Sequence, residues 1–147
     1  MVAATQQQKH VSLERMEESK STPKKLMIAL KNIATFLCAI FFAFAGWMHF
    51  QRPDMYVEIM PEFLPFPLFL VYLSGVCEVA GGIGLLIPRL RKLASYGLIA
   101  LLIAVFPANI NMAVNSIDFG LPHQILWWRL PFQFVFIAWV YWCGRSR

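Results

Sequence analysis

Charge is scarce in this chain. Asp, Glu, Lys and Arg make up 14% of its 147 residues, against 59% apolar ones. A soluble domain of this size has too much surface for its volume to bury so large an apolar share. The three cysteines, Cys38, Cys77 and Cys143, form no CxxC pair, which gives thiol–disulfide catalysis little support. Buried, inert thiols are the better reading, with Cys38 and Cys77 at different depths. Metal-ligand spacing is missing, the three histidines stand far apart, and no glycine-rich phosphate loop occurs. There is no internal repeat, which ranks a small transporter last. The net charge of +5 is not patterned for nucleic acid.

What the chain does have is long apolar runs. Four segments suit a membrane: from Leu26 or Ile33 to Phe50, Leu68 to Pro88, Leu93 to Met112, and Ile125 to Cys143. Each has about 18–22 residues, enough at ~1.5 Å per residue for a hydrocarbon core of ~30 Å. The fourth is the weakest, because Arg129 and Pro131 interrupt it. The expected fold is all-α: an integral membrane bundle of four transmembrane helices over residues 25–147. Residues 1–24 read as a disordered or loosely held cytoplasmic extension, within which VSLERMEESK suits a short helix. Ala43-Phe44-Ala45 resembles a signal-peptidase site, but the apolar run continues to Phe50, so a retained span is favoured.

The basic residues set the topology. Lys9, Arg15, Lys20, Lys24, Lys25 and Lys31 precede the first span; Arg89, Arg91 and Lys92 fill the second connection, and Arg145 and Arg147 end the chain. The other two connections hold Arg52 and Arg129 beside Asp54, Glu58, Glu62 and Asp118. The positive-inside rule then places both termini in the cytoplasm, with the protein in the inner (plasma) membrane. In the first outer connection Pro53 can open a short interfacial helix with Met55, Tyr56 and Ile59 on its apolar side. A simple loop is an equal alternative. Trp127 and Trp128 suit an aromatic belt.

Glu78 stands in the middle of the second run, FLVYLSGVCEVAGGIGLLIP. Ser74, Gly75, Gly81 and Gly82 share its helix face, and a small face lets a neighbouring backbone come close. Ala100 and Ala104 repeat the device in the third span, so Gly75, Gly81, Gly82, Ala100 and Ala104 are the expected packing positions. His49, Asn109, Arg129 and Gln133 fall in the same half of the bundle, and Pro107 opens a kink there. The expectation is a polar pocket of His49, Glu78, Asn109, Arg129 and Gln133, walled by Phe42, Phe106, Phe132 and Phe136. In it Arg129 reaches down to pair with Glu78. Such a pair can equally lock helix register without chemistry.

Four pieces in order carry a resemblance: Gly46 and His49 at the end of the first span, E-x-x-G-G from Glu78, P-A-N from Pro107, and R-L-P-x-Q from Arg129. With them, about residues 33–142 closely resemble the DoxX family of small membrane proteins. The resemblance implies a four-helix transmembrane bundle. It also implies association with quinone-coupled oxidation, with membrane oxidoreductase complexes, or with the assembly of other membrane proteins. A related branch carries paired cysteines that this chain lacks.

Two functional readings therefore stand. One is a redox-associated membrane subunit whose pocket takes a quinone or lipid, with electrons supplied by a membrane oxidoreductase partner. The other is an assembly factor or accessory subunit without catalytic activity. The residues leave open whether the chain is an enzyme.

Overall fold

The computed structural model describes residues 2–115 and 123–145. It is all-α, built from α1 (Val2–Gln51), α2 (Pro53–Glu58), α3 (Pro67–Leu86), α4 (Arg91–Ala104), α5 (Phe106–Val114) and α6 (His123–Gly144). Three stretches among the described residues are long and apolar enough to cross a membrane: Ser21–Gln51, Pro67–Leu86 and Arg91–Val114. With α6 at 22 residues, the set forms a membrane helical bundle. Asp118 and the rest of the α5–α6 connection lie outside the described residues.

The chain divides into two compact units, residues 1–34 and 35–147. The first is helical from Val2 onward, where the sequence led us to expect a disordered or loosely held extension with a short helix at VSLERMEESK. The second holds the bundle core and everything discussed below.

Each helix of that core buries one stripe. On α1 it is Thr35, Cys38, Ala39, Phe42, Gly46 and His49, at helical spacing. On α3 it is Val71, Ser74, Gly75, Glu78, Gly81, Gly82 and Leu85. The α6 stripe is narrower: Leu126, Gln133 and Val140 follow at seven-residue intervals. Outward positions such as Phe36, Phe44, Trp47, Ile83 and Phe134 are large, apolar and exposed, as a lipid-facing surface requires.

In lipid, apolar burial does little to hold helices together, so close fit and polar ties must. The fit is closest at glycine. A Cβ on Gly46 would come within 2.6 Å of the Gly75 carbonyl, and one on Gly82 within 2.7 Å of the Ala39 carbonyl. Backbone therefore meets backbone between α1 and α3. Between α3 and α4 the buried Leu98 side chain fills the hollow over Gly81, and Ala94 that over Gly84.

The α4 face corrects one expectation. Ala100 and Ala104 are exposed, while Ser95 and Leu98 are buried. Ala104 follows Ser95 by nine residues, about two and a half turns, and so points the opposite way. Packing here is a large side chain against a glycine face rather than small against small.

Pro107 ends α4. It lacks the N–H that would continue the ladder, and the helix restarts with this proline in the first turn of α5. The interruption centres on Val105. Beyond it Ala108, Met112 and Ala113 are buried. The short helix expected after Pro53 is present as α2, and Asn111 Nδ2 donates to Ile59 O at 3.0 Å, tying the end of α2 to α5. Phe66, with φ of 53°, turns the chain into α3.

Two core clusters result. One gathers Cys38, Ala39, Phe42, Leu85, Leu98, Val140 and Cys143; the other gathers Ile59, Ala108, Met112 and Leu126. Cys38 neighbours Cys143, with a hydrogen bond between the thiols, while Cys77 is exposed.

Candidate functional site

A cavity of about 460 Å³ opens beside Glu78. His49 reaches it from α1, Glu78 from α3, Asn109 from α5, and Arg129 and Gln133 from α6. All five residues singled out in the sequence therefore line one space. Phe42, Phe132 and Phe136 are in its wall as well. Phe106 is not; it turns edge-on to Phe134, with ring centroids 5.8 Å apart. Phe41 takes its place, stacked on Phe136 at 4.7 Å.

His49 and Glu78 form the polar centre. His49 Nδ1 lies 3.1 Å from Val71 O, and Nε2 lies 3.6 Å from Glu78 Oε2. A carbonyl can only accept, so Nδ1 carries hydrogen and donates. Ser74 Oγ, 3.2 Å from the same nitrogen, spends its own proton on Leu70 O or Val71 O, each 2.9 Å away. Nε2 is thus left as the ring's acceptor, facing a carboxylate oxygen. Two acceptors so placed need one proton between them, carried by either.

The gap matters. At 3.6 Å the pair is within ion-pair range but beyond a hydrogen bond. Glu78 Oε2 is buried and has no hydrogen-bond partner. A buried polar atom left so costs about 1–3 kcal/mol or more.

Arg129 departs from its expected role. It lines the cavity, yet its side chain is exposed and makes no ion pair with Glu78 among the described residues. It stands at the mouth, one residue from the exposed Trp128.

Gln133 and Asn109 are committed to each other. Asn109 Nδ2 donates to Gln133 Oε1 at 2.7 Å, and Gln133 Nε2 donates to Leu102 O. In an unbroken helix that carbonyl would accept from Phe106, so the amide of α6 covers a gap left by the interruption at Val105.

Tyr56 is the residue whose place sequence reasoning missed. Its ring stacks on His49 with centroids 3.8 Å apart, and it lines the cavity. Burial pushes its phenol above the ordinary tyrosine range; the negative charge of Glu78 pushes the same way, and Arg129 opposes. The signal was the apolar side of the Pro53 helix, which had to fold over something.

A protein-family model, the domain of unknown function DUF8561, matches residues 38–144. The chain belongs to this family. The DUF8561 match spans every residue of the cavity wall. It carries no DoxX assignment. No curated protein matches the chain, and no solved structure does. It is a multi-pass membrane protein of the DUF8561 family.

Proposed function

We propose that the cavity receives the polar head of a lipid-soluble ligand, quinone-like or lipid, and that the protein serves as a redox-associated membrane subunit. The carrying observation is Glu78 Oε2: buried, without a hydrogen-bond partner, and belonging to a residue that walls the cavity. The rest of the wall suits a flat apolar molecule, with Phe41, Phe132, Phe136, Tyr56 and Trp128 around the polar centre. His49 and Glu78 would hold the head and exchange a proton with it. Arg129 would meet a second oxygen at the mouth. Asn109 and Gln133 shape the space rather than contact the ligand, since their amides are taken. A quinone-like ring would supply the redox chemistry when bound, and electrons would come from a membrane oxidoreductase partner. The DoxX-like order of motifs favours the same reading. So does the inner-membrane placement with both termini cytoplasmic that the basic residues indicate.

The accessory-subunit reading has one observation of its own. Gly97, Ala100 and Ala104 lie exposed on α4, and a Cβ at Gly97 would touch nothing within 4 Å. A partner helix could approach there closely.

The test compares native protein with Glu78→Gln in mild detergent, by mass spectrometry of extracted small molecules and by thermal unfolding. The expected outcome is a defined quinone or lipid in the native protein that the variant loses while remaining folded. Nothing bound, with a variant that unfolds, would make Glu78 a structural lock and move the search to partner proteins.

A further inference from the structure

The polar cavity is closed on most sides and open on one. Among the described residues of its wall, those that are exposed belong to α1 and α6: Phe41 on the first, and Trp128, Arg129 and Phe132 on the second. The wall residues between Tyr56 and Asn109 are all buried or half-buried. A molecule that outgrows the cavity therefore emerges between α1 and α6.

Two stripes border this seam. Phe41, Ala45 and His49 follow at four-residue intervals on α1, and Trp128, Phe132 and Phe136 do so on α6, so each set shares one face of its helix. Phe41 stacks on Phe136, with centroids 4.7 Å and planes 14° apart. To one side of that contact Cys38 neighbours Cys143; to the other Tyr56, stacked on His49, feels the charge of Arg129. The stripes therefore run antiparallel, over eight residues or about 12 Å. Ala45 comes level with Phe132. Ring meets ring at the inner end, but in the middle only a methyl faces a ring, and there the seam is least filled.

The gap opens onto hydrocarbon. Phe44 and Val135, beside it on the two helices, are exposed apolar surface. A cavity of about 460 Å³ encloses a ring-sized head but not the length of a long chain attached to it. The rings of Phe41, Phe132 and Phe136 suit a flat head, and a single gap passes a single chain. We propose that the seam between α1 and α6 holds the tail of the ligand, which is a flat ring carrying one hydrocarbon chain and enters from the lipid. This tail site rests on the reading of His49 and Glu78 as the head site.

Full-length protein in phosphatidylcholine nanodiscs is irradiated with a decyl-chain benzoquinone that carries a diazirine near the ring end of its chain. The same diazirine chain without the ring serves as control. Native mass spectrometry reports whether the probe is bound, and peptide mapping reports where its chain lies. The ring-free chain should label exposed apolar surface all round the bundle. The quinone probe should label the segments 41–45 and 132–136 at least ~10-fold more than the ring-free chain does, and excess tail-less benzoquinone should abolish that enrichment. Glu78→Gln, checked for folding by thermal unfolding, should abolish it too. A probe that is bound and displaced by tail-less benzoquinone, yet labels other helices or all of them alike, overturns the tail site and leaves the head site standing. A probe that does not bind overturns both. Displacement of the probe by the two-chain phosphatidylcholine overturns the ring with one chain.

Discussion

Glu78 pairs with the histidine closest to it and not with the arginine that the sequence offered. The sequence gives depth along each helix, and by depth Arg129 and His49 are both in reach of Glu78. It does not give azimuth. His49 lies on the buried stripe of α1, where Gly75 leaves room for its Cβ: a methyl on that glycine would come within 2.8 Å. Arg129, in the second turn of α6, is an exposed residue of the cavity wall whose charge acts on Tyr56. Gln133 offers the sharpest residue-scale expectation. Replacing it with Leu removes the bond from Asn109 and uncovers Leu102 O, at a cost of about 1–2 kcal/mol for an interhelical tie in lipid. Thermal unfolding in detergent should show the loss, and Asn109→Ala should add little on top of it, because the two residues share one bond. Fully additive losses would mean that each has another partner.

At the scale of the helix, length and composition made the spans legible. The second matched within two residues at each end, because Pro67 starts it and Pro88 follows it. The third was legible as a span but not as two helices in sequence, since Pro107 marks a disturbance without saying whether the chain bends or restarts. Nor could the stripe of small residues on α4 show which way it faces. The glycine contacts turn this into a paired expectation. Gly82→Ala forces a methyl to 2.7 Å from the Ala39 carbonyl, overpacking that should cost about 1–3 kcal/mol and loosen α1 from α3. Gly97→Ala meets nothing and should gain up to ~1 kcal/mol from helix propensity. Both are read from the same unfolding curves. A neutral Gly82→Ala would show that the two backbones are not in contact.

For the whole molecule, the parity of crossings decides what the termini see. Three candidate spans, with α6 counted as a fourth, would return the chain to its starting side; three crossings alone would separate the ends. Impermeant labelling of single cysteines added at each terminus, in spheroplasts and in inverted vesicles, should find both on the cytoplasmic side. Opposite sides would mean that α6 lies along the membrane instead of crossing it. An expectation about parity was readable from the sequence through its basic residues. The neighbouring of Cys38 and Cys143 was not, since it depends on how the first and last helices are placed around the bundle.

The seven-residue rhythm of α6 has a consequence of its own. Leu126, Gln133 and Val140 are phased so that one helix engages the α2–α5 end, the broken helix and Ser95, whose Oγ donates to Val140 O, together. One residue inserted between Gln133 and Val140 would rotate everything after it by about 100°. Gln133 could then stay in register with the broken helix, or Val140 with Ser95, but not both. The cavity and the packing of α6 on α4 share a single angular setting.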